Sequence, residues 1–297
     1  MLKMLVYEKI NLENSDLGEY ELIFAHVIYR HGDRNVMESY PNDPYNDEEF
    51  WDNGFGGLSN LSKRQQYELG KYLRARYQKL IGAHYSPKKV YIRSTDEDRN
   101  LQSAQCNAAG MFNPTGDEVW NKLGWQPIPI HTVPLSVRFM EKSSGLKLTE
   151  LVDVLNLYNI IYVENLQGLD QTIRWTIGAI NYQSVTHSVE MKKIRAGFLI
   201  KEMLDRFKNK TLSLLTPDRT VYLYAAHGSV ISNVLNSLNL FDVKIPLFSS
   251  SILFELHQRD TEYFVQVTYR KTVSENASSF EIPNCGTMCP LNRFYDV

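Results

Sequence analysis

Cysteine is scarce in this chain: three residues in 297. That excludes a disulfide-dense small scaffold, which needs many half-cystines to replace a core. No apolar run approaches the ~20 residues of a membrane-spanning helix. A strong charge of either sign is also missing, because 32 Lys and Arg face 34 Asp and Glu for a net charge of −2. A generic nucleic-acid binder would carry a basic excess, so nucleic acid is not an expected partner. Repeats, low-complexity tracts and charged tails are absent. Cys285 and Cys289 in Asn-Cys-Gly-Thr-Met-Cys-Pro lack the second ligand pair that a zinc site requires, so no metal is expected there. They are close enough to bridge around a glycine turn, and a disulfide and two free thiols are both open readings. Cys106, in a helical stretch, reads as a small core residue.

What is present is ordinary globular material: 43% hydrophobic and 22% charged residues, in a length able to bury a substantial core. The opening Met-Leu-Lys-Met-Leu-Val-Tyr-Glu is too short in apolar residues for a secretory signal, so the chain as given reads as cytoplasmic, mature or truncated at its start. Sequons at Asn60, Asn209 and Asn276 lean weakly towards secretion.

Periodicity supplies the elements. Residues 20–29 are apolar and β-rich and predict a buried strand. Residues 40–57 are rich in Pro, Asn, Asp and Gly and predict a long loop. Leu61, Leu69, Tyr72, Leu73 and Tyr77 recur at helical spacing behind Ser59, a candidate N-cap. Residues 88–92 form a short strand, with a cap-like Arg93-Ser94-Thr95-Asp96 and a helix to about Gly110. An extended, proline-broken segment follows at 125–135. Residues 144–182 are mainly helical in pattern, and the span 136–190 is taken as a small helical cap inserted in one domain of residues 1–297. A helix at 187–208, a strand at 220–226 and paired strands at 248–257 and 262–270 complete the chain. Strands alternating with helices predict an α/β fold, a mainly parallel sheet sandwiched by helices.

The chemistry gathers at strand ends, where α/β folds place their sites. The first strand ends in Arg30-His31-Gly32-Asp33-Arg34, the second in Ile92-Arg93-Ser94-Thr95-Asp96, and the strand at 220–226 delivers His227. Arginine forks match phosphate oxygens bidentately and keep their charge at any working pH. Three arginines and two histidines at three strand ends predict a pocket for a phosphate dianion. Arg93 alone reads as a surface or capping residue, and Asp96, Asp98 and Arg99 alone read as a helix N-terminus with an internal ion pair.

Tyr-Arg-His-Gly-Asp-Arg, Tyr-Ile-Arg-Ser-Thr-Asp-Glu-Asp-Arg and the strand ending Ala-Ala-His resemble the histidine acid phosphatases of the prostatic and lysosomal type. So do Leu-Gly-Lys-Tyr-Leu-Arg-Ala-Arg-Tyr, Trp-Gln-Pro-Ile-Pro-Ile-His-Thr-Val-Pro and the Cys-x-x-x-Cys-Pro-Leu near the end, and the resemblance runs over about residues 20–295. It implies a phosphoglycerate mutase-like domain of six or seven strands with a helical cap. It also implies hydrolysis of phosphate monoesters through a phosphohistidine, with neither metal nor cofactor, in a secreted or lysosomal protein able to form a homodimer. Carried over by position, His31 is the nucleophile. Arg30, Arg34 and Arg93 hold the phosphoryl oxygens, and His227 stabilises the transferring group.

The chain departs from that pattern at Gly228, where the family has the aspartate that protonates the leaving oxygen. Ser229 is too weak an acid to replace it, and Asp33 or Glu38 would need an unusual loop. Val36 replaces a proline, the cap is reduced, and cysteines that pair in longer relatives are missing. Two readings follow: a phosphatase with impaired acid catalysis, or an inactive protein that binds phosphate esters. A phosphoglycerate mutase-like phosphotransferase shares the Arg-His-Gly logic, but the second arginine and the Asp-x-Asp-Arg stretch favour the phosphatase branch.

Overall fold

The computed structural model describes residues 20–37, 39, 42–132, 180 and 182–297. Most of the cap at 136–190 and the whole of Glu38 lie outside the described residues.

Eight strands form one mixed sheet among the described residues. Its parallel half holds β1 (Glu21–Arg30), β2 (Val90–Ser94), β3 (His131–Thr132) and β4 (Val221–Ala226) in the order β3-β2-β4-β1. The other half is antiparallel: β5 (Ser251–Arg259) pairs β1, and β6 (Glu262–Arg270) pairs β5. Two short strands, β7 (Ser278–Ser279) and β8 (Cys289–Pro290), both pair β6. The mainly parallel α/β sheet expected from the sequence is present, with this antiparallel extension at one side. The two-residue strands raise the count above six or seven.

β1 lies at the centre because it is apolar on both faces. Phe24 and Ile28 enter one core with Phe207, Tyr222, Ile231 and Phe254, and Ala25, Val27 and Tyr29 enter the other with Leu69, Leu73, Ala104 and Leu223. That is the alternation of a strand buried on both sides. The second core is covered by α1 (Asn60–Arg76) and α2 (Asp98–Met111). The first is covered by α3 (Phe198–Thr211) and α4 (Gly228–Ser237). Ser59 caps α1 as expected, its hydroxyl accepting from the Ser62 amide at 3.1 Å. The helix predicted at 187–208 is three pieces, Val189–Lys192, a π-helical turn Lys193–Gly197, and α3. Cys285 and Cys289 are joined as a disulfide beside β8. Cys106 is partly exposed on α2 rather than in the core. No helix among the described residues is long and apolar enough to cross a membrane.

α1 and α2 touch backbone to backbone. A β-carbon on Gly70 would stand 2.0 Å from the Asn107 carbonyl oxygen, and one on Gly110 would stand 2.0 Å from that of Tyr67. Neither is a separation that real atoms tolerate, so the helices must part if either glycine gains a methyl. Overpacking of this kind costs about 1–3 kcal/mol. Gly110→Ala is expected to lower stability in urea by about that amount and to weaken anion binding as well, because α2 carries residues of the pocket described below. Unchanged stability would show that the contact is slack.

Candidate active site

Hydrogen bonds that continue past the strands bring three strand ends together. The His31 amide donates to the Ala226 carbonyl at 3.0 Å, and the Thr95 amide donates to that of Ala225 at 3.1 Å. From α1, the Gln66 amide Nε2 donates to the Arg30 carbonyl at 2.9 Å and to the Ser249 hydroxyl at 3.0 Å. The Ser249 amide donates to the His31 carbonyl at 3.1 Å. The backbone at His31 is therefore tied to β4, to α1 and to the segment before β5.

The His31 side chain is buried, and its Nδ1 lies 2.8 Å from the Gly32 carbonyl oxygen. A carbonyl only accepts, so Nδ1 carries the ring proton and Nε2 is left with a lone pair. Burial drives the His31 pKa down from 6.5 to about 3; the Gly32 bond opposes this and the charges of Arg30, His227 and Arg99 reinforce it. The ring is thus uncharged at ordinary pH, and Nε2 keeps its lone pair.

Arg30 is held by the Pro246 carbonyl, to which its Nη1 donates, and by the Phe248 ring, 4.0 Å below its guanidinium carbon. Its Nε is buried with no partner among the described residues. Arg34 sits in an isolated bridge to Leu58, and its Nη1 donates to the Asn35 carbonyl at 2.8 Å. Burial lowers the pKa of both guanidiniums, and each is lowered further by another arginine: Arg30 by Arg34, and Arg34 by Arg99. Like charges confined together in this way favour a bound anion.

Arg93 does not join them. It lies within β2, its guanidinium 3.0 Å from Glu202 of α3 and stacked over Tyr224. Its charge bears on His26 and Tyr224. The third arginine is Arg99, on the first turn of α2. It pairs with Glu97 and acts on His31, Arg34 and His227, and its Nε is buried without a partner among the described residues. The sequence reading took the arginine beside the strand and treated Arg99 as part of an internal ion pair. The pair exists, with Glu97, but it forms inside the pocket. The Asp96-Glu97-Asp98-Arg99 step from strand to helix was the available signal.

His227 precedes α4, its ring 5.6 Å from that of His31 and nearly perpendicular to it. Three groups converge on its Nε2: the Asn100 amide at 2.8 Å, a Glu97 carboxylate oxygen at 3.2 Å and the Thr95 hydroxyl at 3.3 Å. Burial lowers its pKa, and the Glu97 charge opposes that. Gly228 is buried at the start of α4. A β-carbon there would lie 3.2 Å from the Tyr182 hydroxyl and 3.3 Å from Arg30 Cδ and Nε. An aspartate would therefore need Tyr182 or Arg30 to yield by a few tenths of an ångström. Asp33 accepts from the Ser59 hydroxyl at 3.2 Å, which holds it at the start of α1. No group of three or more His, Cys, Asp or Glu able to hold a metal occurs among the described residues.

An uncharged imidazole set among arginines at the carboxyl ends of parallel strands can take up an anionic group. The family model described as histidine phosphatase superfamily (branch 2) matches residues 21–138 and 138–270, and the chain belongs to that family. It is 31% identical to prostatic acid phosphatase from Homo sapiens, over 96% of this chain and 86% of that one. It is 30% identical to lysosomal acid phosphatase from Rattus norvegicus, over 92% and 76%. Among solved structures, the phytase of Citrobacter braakii shares the fold with a TM-score of 0.59 at 13% identity, covering 93% of this chain and 96% of that one.

Two outcomes follow from this geometry. Phosphate or vanadate should raise the melting temperature by mass action. Arg99→Ala should remove most of that shift, by about 1.5–3 kcal/mol of binding, and Arg93→Ala should spare it; the reverse ranking would place Arg93 in the pocket after all. The second concerns pH. Below pH 6.5 an unfolded chain protonates His31 while the folded one does not until about pH 3. Stability is therefore intact above pH 6.5 and falls progressively down to pH 3, by of order 4 kcal/mol for this residue. His31→Asn should flatten that fall in a urea series at stepped pH; an equal slope would mean the wild-type imidazole protonates in the folded state.

Proposed function

We propose that the chain hydrolyses phosphate monoesters through a phosphohistidine at His31, in a secreted or lysosomal setting. The observation that carries the reading is the Nδ1 bond to Gly32, which leaves Nε2 of a neutral ring as the attacking atom beside Arg30, Arg34 and Arg99. The transferring phosphoryl spreads its charge over three equatorial oxygens, and fixed guanidiniums stabilise that charge without reorganising. His227 supplies a further polar group from the end of the neighbouring strand β4. Each residue here is buried or bonded in place, which keeps reorganisation small.

Gly228 supports a second reading, a protein that binds phosphate esters and does not turn them over, since no side chain at that position can protonate the leaving oxygen. The first reading retains turnover with acid assistance weaker than a dedicated aspartate gives. One experiment separates the two. Incubation with 32P-labelled nitrophenyl phosphate and quenching in base should trap a phosphoryl group that survives alkali and is lost in acid. His31→Ala should abolish it. Phosphate binding without any trapped phosphoprotein or released nitrophenol would establish the binding protein instead.

A further inference from the structure

Glu97 occupies a position that the hydrolytic reading leaves without a task. It is the residue before α2, and its amide donates to the Thr95 carbonyl at 2.9 Å, which fixes the backbone. Its two carboxylate oxygens are divided: one lies 3.2 Å from His227 Nε2, and the other pairs with Arg99 Nη2. The side chain is 43% exposed, so it borders the open side of the pocket. It also acts on Arg34. A carboxylate among the arginines of an anion pocket opposes anion binding, and charge balance alone gives no reason to place it there. Its contact with an imidazole gives one. When the ring is protonated, Nε2 can donate to Glu97; when the ring is neutral, Nε2 can accept from the Asn100 amide at 2.8 Å. A carboxylate and an imidazole thus meet beside the arginines.

Resting on the phosphohistidine reading, we propose that Glu97, with His227, is the proton donor for the leaving oxygen in this chain, replacing the side chain that Gly228 lacks. His31 Nε2 forms a bond to phosphorus as the bond from phosphorus to the ester oxygen breaks. The electron pair passes to that oxygen, which takes the proton from the Glu97–His227 pair. In the second step water attacks phosphorus, the nitrogen–phosphorus electrons return to His31, and the proton shed by water restores the pair. The other carboxyl candidates fit less well: Asp33 is bonded to Ser59 at the start of α1, and position 228 has no side chain.

Glu97→Gln tests this, because glutamine keeps the size and a hydrogen bond to His227 but cannot release a proton. General acid assistance is worth about 10²–10⁴-fold, and it matters little for a leaving group that is stable as an anion. The variant should lose at least ~10²-fold in kcat on glycerol phosphate and less than ~10-fold on nitrophenyl phosphate, with the His31 phosphoryl trap still forming from the latter. Similar losses on both substrates would make Glu97 a positioning residue for His227 or Arg99 and overturn the proposal. So would an unchanged ratio of the two rates. Failure of the wild-type protein to turn over either ester or to form a phosphoprotein would instead remove the hydrolytic reading on which the proposal rests.

Discussion

The repulsion between guanidiniums gathered at one edge of the sheet is the constraint around which this structure is organised. Arg30 and Arg34 are each less willing to hold charge because of burial and because of a neighbouring arginine. A flexible loop would relieve that repulsion by letting the side chains part. This fold does not permit it. Arg30 is clamped between the Pro246 carbonyl and the Phe248 ring, Arg34 by its bridge to Leu58, and Arg99 by Glu97. Behind them stand two cores that share β1 and β4, so opening the pocket would disturb packing on both faces of the sheet. Like charges held together in this way favour a bound anion. Burial also keeps the His31 ring free of a second proton.

Much of this could be read from residues alone, because the signals are strong where the chain is central. β1 is apolar on both faces and ends in Arg-His-Gly, so its place and its cargo were both evident. Ser59 announced α1. His227 stands out in the sequence because β4 is an unbroken apolar run with a polar end. The direction of a side chain is harder to read from sequence than its position. Arg93 follows an apolar residue near the end of a strand, but a side chain on β2 points to alternate faces. Arg93 shares its face with Tyr91, and both pack with the residues of the first core. Arg99 lies six residues further on, and only the turn of the chain into α2 brings it back over the pocket. Spacing along a sequence does not reveal such a turn. The π-helical turn at Lys193–Gly197 is illegible for the same reason, since one extra residue per turn leaves no pattern in composition.

Gly228 illustrates how far one position depends on its neighbours. Judged from the sequence, it is an aspartate lost, and restoring the aspartate would be the natural repair. In the folded chain the space beside it is already claimed by the Tyr182 hydroxyl and by Arg30. On the proposed function, Arg30 meets the phosphoryl oxygens from this position. A carboxylate inserted at 228 would press on that guanidinium, and as an opposite charge it would compete with the substrate for it. An acid placed at Glu97 avoids both difficulties. Its charge is taken up by Arg99 on one oxygen and met by His227 on the other, and neither contact draws on Arg30. The acid and the anion clamp are thereby mounted on different elements, Glu97 and Arg99 at the start of α2 and Arg30 at the end of β1. They are coupled through the contact of α2 with α1, where Gly70 and Gly110 allow the two backbones to meet, and through the Ser103 hydroxyl of α2, which accepts from the Gly32 amide at 3.2 Å.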